Sequence, residues 1–137
     1  MKRTLGWLGL ILLSMATLSR PALAFHAGVG AGPPPVVPVE LAQRFLDGGE
    51  HPVFIDLRPS EEFKTGRLPG ARSVPFREVL KRYAEIPRTG RVILYCACPL
   101  KEVEPAYQFL WDHGYKNISV LDEGFPGWVK RGYPVER

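Results

Sequence analysis

The sequence has few of the residues from which metal sites and disulfide frameworks are built. Its 137 residues include two cysteines, two methionines and three histidines. The cysteines stand at 96 and 98, so the chain has no Cys-x-x-Cys motif, and its histidines form no pair at helical spacing. These patterns argue against a zinc site and against a disulfide-rich scaffold. We predict no metal and no cofactor; the Cys-x-Cys pair leaves a soft ion such as Cu(I) as an alternative.

The amino-terminal residues have the pattern of an export signal. A basic start at residues 1–3 is followed by an apolar stretch at 5–18 and by Ala-Leu-Ala at 22–24. We predict that residues 1–24 are a signal peptide cleaved before Phe25, which implies a periplasmic or secreted protein with no membrane anchor after cleavage. The alternative is an uncleaved anchor, for which the segment is short.

Charge gives no sign of a nucleic-acid partner. The chain has a formal net charge of +4, from 18 basic and 14 acidic residues. Three of the basic residues lie in the predicted signal peptide, so the mature chain has 15 basic residues against 14 acidic ones and a net charge of +1. We therefore expect no nucleic-acid binding.

The rest of the chain divides into a spacer and one domain. Residues 25–35 are rich in Gly and Pro and predict an extended linker, and residues 36–137 are enough for a single small domain. Short apolar runs that predict strands alternate with segments of helical periodicity. The predicted strands are 53–55, 71–74, 92–95 and 118–121, and the predicted helices are 40–46, 60–64, 76–86, 102–113 and 125–131. This alternation predicts an α/β fold with a small parallel sheet and helices on both faces, and we expect a monomer.

A thiol stands where the central strand gives way to a helix. Cys96 follows the strand at 92–95, and Pro105 predicts that the helix starts near residue 101 or 102, with the proline in its first turn. Ligands collect at the carboxyl ends of parallel strands, and N–H groups at a helix N-terminus lower the pKa of a thiol. Cysteines two residues apart are also poorly placed for a conventional structural disulfide. The pattern therefore favours a reactive thiol.

Three segments together resemble the rhodanese, or thiosulfate sulfurtransferase, domain family. The first reads Asp-Leu-Arg at 56–58 and then Glu-Glu-Phe-Lys-Thr-Gly-Arg-Leu-Pro-Gly-Ala at 61–71, with arginine where the family usually has histidine. The second is the strand and cysteine loop. The third reads Leu-Asp-Glu-Gly-Phe-Pro-Gly-Trp at 121–128, followed by Gly-Tyr-Pro-Val at 132–135, with Glu123 in place of a glycine.

The resemblance implies a sulfurtransferase with Cys96 as its nucleophile. The thiolate would take a sulfane sulfur from thiosulfate, polysulfide or a persulfide and pass it to a thiol, including a protein thiol, or to cyanide. The persulfide anion needs N–H donors, a helix N-terminus and a nearby cation. The binding loop that would supply them consists of Ala97, Cys98, Pro99, Leu100 and Lys101.

Several features leave alternatives open. The family commonly has glycine and arginine at the positions of Pro99 and Lys101, so the loop lacks one N–H donor and the bidentate recognition that arginine gives. Cys98 either resolves a Cys96 persulfide by forming a disulfide or is a passive neighbour. Asp56 and Arg58 either support the site or form a structural ion pair. The rival functions are a thiol-redox or non-catalytic binding module that uses the cysteine pair, and a phosphatase-like enzyme.

Overall fold

The structure is a computed structural model, and it describes residues 30–137. The predicted signal peptide and residues 25–29 of the predicted linker lie outside the described residues. Among residues 30–137, no helix is both long and apolar enough to cross a membrane.

A five-stranded parallel sheet forms the centre of the domain. Its strands lie in the order β1-β5-β4-β2-β3. Their bounds are β1 Val36–Val37, β2 Val53–Asp56, β3 Arg72–Ser73, β4 Val92–Tyr95 and β5 Ile118–Leu121. All four residues of β4 are buried, because β4 lies between β2 and β5 and is covered on both faces. Its wholly apolar sequence follows from this position.

Helices cover both faces of the sheet, as the predicted α/β fold requires. They are α1 Val39–Asp47, α2 Ser60–Thr65, α3 Val79–Arg82, α4 Leu100–Asp112 and α5 Gly124–Lys130. Side chains alternate along β4, so Val92 and Leu94 pack in one core with α4, whereas Ile93 and Tyr95 pack in the other with Trp128 of α5. The α/β fold with a small parallel sheet is confirmed.

The single helix predicted for residues 76–86 is wrong. The segment is a 3₁₀ turn at Phe76–Glu78, then α3, then a second 3₁₀ turn at Tyr83–Glu85. Val79 is buried, but Leu80 is 65% exposed. The apolar spacing was compatible with a helix, but not every apolar residue in it faces the core.

The helix behind the cysteine loop starts earlier than predicted. The backbone of Pro99 is extended (φ −56°, ψ 145°), and α4 begins at once with Leu100. Pro105 therefore lies inside α4 and not in its first turn, where it leaves the Lys101 carbonyl without its usual helical partner. In α2, Ser60 is the first helical residue, Pro59 precedes it, and no side chain caps the helix.

The end of the predicted linker lies against the domain. The side chain of Gln108 donates a hydrogen bond to the Ala31 carbonyl (2.7 Å), and the Val120 N–H donates to the Pro35 carbonyl (2.8 Å). The last residues of the predicted linker are thus held against the folded domain.

Candidate functional site

Cys96 lies at the carboxyl end of the central strand. It follows Tyr95, the last residue of β4, and three residues separate it from the first residue of α4. The closing segment, residues 121–128, holds its backbone: the Phe125 N–H donates a hydrogen bond to the Cys96 carbonyl at 2.9 Å. Gly124 has φ +55°, and a Cβ atom built there would overlap the same carbonyl. A glycine at 124 is therefore required for the two segments to approach this closely.

The two cysteines are joined to each other. Cys96 and Cys98 form a disulfide with a Cα–Cα distance of 5.3 Å. The structure therefore has the predicted nucleophile in its oxidised form, and reduction of the disulfide would give two thiols. Both residues are half-buried and pack against the core that contains α4.

The cysteine loop, residues 96–101, has N–H groups free to face a ligand. Within residues 30–137, the N–H groups of Ala97, Cys98, Leu100 and Lys101 are paired with no backbone carbonyl. The Glu102 N–H is occupied by the Pro99 carbonyl at 2.8 Å. Free N–H groups at the start of a thirteen-residue helix stabilise negative charge.

The loop separates two clefts. Cys96, Cys98 and Lys101 line the large cleft, which has a volume of about 1070 Å³. The small cleft, of about 380 Å³, is lined by the other predicted loop residues Ala97, Pro99 and Leu100, together with Cys98. The five residues predicted as one binding loop are thus divided between two clefts, and Cys98 of the disulfide lines both.

Residues of the first 3₁₀ turn, Phe76–Glu78, also line the large cleft. Phe76, which is 42% exposed, lines it together with Arg77 and Glu78. Sequence reasoning missed these residues because it placed them in a single helix at 76–86, with Phe76 on its apolar face. Their side chains add both apolar and charged surface to the wall of the cleft.

Asp56 and Arg58 form a buried ion pair. They are 0% and 3% exposed, and Arg58 Nη2 lies 2.6 Å from Asp56 Oδ2. The Tyr95 hydroxyl donates to the same Asp56 oxygen at 2.6 Å, and Arg58 Nη2 also donates to the Gly66 carbonyl. This network joins the ends of β2 and β4, the edge at which Cys96 lies.

Burial and the ion pair together set the protonation states of Tyr95 and Arg58. Burial and the negative charge of Asp56 raise the pKa of Tyr95 far above its usual value, so the hydroxyl stays a hydrogen-bond donor. Burial alone would lower the pKa of Arg58, but its hydrogen bonds and charge attraction to Asp56 outweigh burial and raise it. The Arg58 guanidinium also stacks 3.7 Å from the ring centre of Phe125. Through Phe125, the ion pair supports the segment that holds Cys96.

A surface cluster lies beside the loop. Glu123, in the small cleft, accepts a hydrogen bond from Arg131 Nη2 at 2.6 Å, and Arg131 also contacts Glu40 of α1. The Arg131 hydrogen bond lowers the pKa of Glu123 from its usual value. Arg131 therefore ties α5 to α1, and the glutamate that replaces a glycine of the family pattern holds Arg131 from the other side.

Comparison with known proteins agrees with this geometry. A family model described as rhodanese-like domain matches residues 37–131. A sulfurtransferase of Allochromatium vinosum is 30% identical over 95 residues, which are 69% of this chain and 87% of that protein. An HTH-type transcriptional regulator of Mycobacterium tuberculosis is 30% identical over 120 residues, which are 87% of this chain but 52% of the regulator. The chain thus spans about half the length of that relative.

A solved structure shares the fold. The crystal structure of a rhodanese-related protein from Thermoplasma volcanium superimposes with a TM-score of 0.65 at 20% identity. The match covers 74% of this chain and 97% of that protein. At this identity the likeness concerns the fold alone.

Proposed function

Because this chain belongs to the rhodanese-like domain family, we propose that it is a sulfurtransferase that moves a sulfane sulfur through a persulfide on Cys96. A general sulfur-transfer role is supported by the family match and by the similarity to the Allochromatium sulfurtransferase. The observation that carries the assignment is the position of Cys96. Cys96 lies at the end of a central parallel strand, shortly before the start of a long helix, and it lines the large cleft.

The transfer takes two displacements on the reduced protein. In the first, the Cys96 thiolate attacks the outer sulfur of a donor persulfide, and the donor leaves as a thiolate. In the second, an acceptor thiolate attacks the outer sulfur of the Cys96 persulfide, and Cys96 leaves as a thiolate. Negative charge remains at the loop throughout. The unpaired N–H groups and the Lys101 ammonium are the groups that would stabilise it.

The loop favours small or singly charged donors over an oxyanion. Pro99 has no N–H to offer, and the Lys101 ammonium does not form the two parallel hydrogen bonds by which arginine binds an oxyanion. We therefore propose a polysulfide or a low-molecular-weight persulfide as a better donor than thiosulfate. The large cleft is open enough for the thiol of an acceptor, including a protein thiol. The proposal includes export, which rests on the sequence pattern of residues 1–24, and a monomeric state.

Mass spectrometry tests the proposal. After reduction, the purified protein should gain one sulfur from a low-molecular-weight persulfide, and peptide mapping should place it on Cys96. The Cys96→Ser variant should gain none. The proposal fails if neither thiosulfate, polysulfide nor the persulfide loads Cys96 in a protein whose cysteines are shown to be reduced.

The disulfide favours a second candidate, a thiol-redox module. A protein that exchanges its Cys96–Cys98 disulfide with a partner thiol needs two neighbouring cysteines beside an open cleft, and both are present. A protein that cycles between dithiol and disulfide but never carries a persulfide would support this function instead.

A further inference from the structure

We infer that the Cys96–Cys98 disulfide lets the site take its sulfur directly from hydrosulfide. This inference rests on the proposed function, because it names a donor for the same persulfide on Cys96. It differs in its starting state, since the transfer described above begins from the thiol and this one begins from the disulfide.

The disulfide is placed where a small nucleophile can reach it. Both cysteines are half-buried and both line the large cleft. Cys98 also lines the small cleft, so the bond lies between two open surfaces. Only Ala97 separates the two cysteines, and therefore their sulfurs stay near each other after the bond opens. Cleavage and closure of the bond require no rearrangement of the fold.

The chemistry balances without an outside oxidant. Hydrosulfide attacks the Cys96 sulfur, a new S–S bond forms between the two, and the Cys96–Cys98 bond breaks. The bonding pair leaves with Cys98 as its thiolate, and the proton of hydrosulfide is shared between the new persulfide and that thiolate. The sulfide sulfur is oxidised to the sulfane level, and the disulfide accepts the two electrons.

The position of α4 selects Cys98 as the leaving group. Cys98 stands two residues before the first residue of α4, and the unpaired N–H groups of Leu100 and Lys101 follow it. A thiolate near a helix N-terminus is stabilised, and a more stable thiolate leaves faster. The attacking sulfur is therefore retained on Cys96.

The charges of the large cleft suit this donor. Arg77 and Lys101 line the cleft with the two cysteines and attract an anion. Glu78 and Glu102 line it too, although Glu78 is paired with Arg82 at 2.7 Å, so the cleft suits a monoanion better than a dianion. Hydrosulfide has no oxygen atoms, so it has no need of the glycine N–H and the arginine fork that the loop lacks. Pro99 and Lys101, which weaken the case for thiosulfate, are compatible with hydrosulfide.

A complete cycle requires two further reactants. An acceptor thiol takes the outer sulfur from Cys96 and leaves the dithiol. A disulfide, either of low molecular weight or on a partner protein, then oxidises the dithiol and is itself reduced to two thiols.

The test compares two redox states of the same chain. Oxidised protein and reduced protein are each mixed with sulfide without oxygen, and reduced protein is mixed separately with a low-molecular-weight persulfide. Oxidised protein should gain the mass of one hydrogen sulfide, with the sulfur on Cys96 and a free thiol on Cys98. Reduced protein should gain at least about ten-fold less from sulfide, because it has no disulfide to attack. The Cys98→Ser variant, which cannot form the disulfide, should behave like the reduced protein.

Each outcome bears on a different claim. If oxidised protein gains no sulfur while reduced protein is loaded by the persulfide, hydrosulfide is not a donor and the proposed function stands. If the reduced chain and Cys98→Ser gain as much from sulfide as the oxidised chain, polysulfide in the reagent is the donor and the inference is overturned. Sulfur mapped to Cys98 also overturns it. If the persulfide, polysulfide and thiosulfate all fail to load reduced protein, the proposed function itself fails.

Discussion

Replacing Gly124 with alanine tests how closely the closing segment fits the cysteine loop. Gly124 has φ +55°, and a Cβ atom there would overlap the Cys96 carbonyl. That carbonyl accepts the hydrogen bond from the Phe125 N–H. The substitution therefore forces either the cysteine loop or the closing segment to move.

The expected cost has two parts. A residue with a Cβ atom in the left-handed region costs about 1–2 kcal/mol. Displacing the Cys96 carbonyl from its hydrogen bond with the Phe125 N–H adds about 1–3 kcal/mol. We expect Gly124→Ala to lower the free energy of unfolding by about 2–5 kcal/mol, measured by urea denaturation with the disulfide intact.

Gly132→Ala is the matched control. Gly132 has φ +68°, but a Cβ atom there would meet nothing within 4 Å. It should lose only the conformational part, about 1–2 kcal/mol. If both variants lose the same free energy, the close approach between Gly124 and Cys96 is not what requires the glycine, and the reasoning is refuted.

Three further predictions concern the charges around the site. Asp56→Asn leaves a buried guanidinium without its partner and should lower the free energy of unfolding by about 3–5 kcal/mol in urea denaturation; a loss below about 1 kcal/mol would contradict the structural role. In reduced protein, Lys101→Gln should slow alkylation of Cys96 by iodoacetate about two- to five-fold more than alkylation by neutral iodoacetamide, and salt should reduce the difference. Equal slowing by both reagents would show that Lys101 does not act through its charge. Arg131 lowers the pKa of Glu123 in the folded protein. The pair therefore stabilises the fold at pH values above the pKa of Glu123 in the unfolded chain, about 4.3, and this stabilisation is lost as the pH falls through the lower pKa of the folded state. The stability difference between the wild type and Glu123→Gln should therefore narrow in acid, and a difference independent of pH would contradict this.

The local sequence pattern was sufficient to predict strand β4 and the position of the thiol at its end. The apolar run at Val92–Tyr95 predicted β4 with the bounds that the structure shows, because a strand buried on both faces has no polar position. The position of Cys96 between β4 and a helix followed from the same run.

Long-range contacts could not be predicted in this way. The Asp56 side chain is fixed by Tyr95, 39 residues away. Sequence pattern offered the ion pair with Arg58 as one of two alternatives and did not identify the hydroxyl that joins it. Phe76 fitted a buried helical face, yet its place on the large cleft depends on how the 3₁₀ turn packs against the loop. Spacing also made Cys96 and Cys98 poor candidates for a conventional disulfide, and only the structure joins them.

The central claim is that Cys96 receives a sulfur atom and passes it on. Its most direct test gives the reduced protein a low-molecular-weight persulfide with a heavy sulfur isotope in the outer position, removes excess donor, and then adds an acceptor thiol. The account predicts that the heavy sulfur is first bound to Cys96 and then appears as the outer sulfur of the acceptor persulfide. Label that stays in the donor, or that reaches the acceptor equally well in the Cys96→Ser variant, would contradict it.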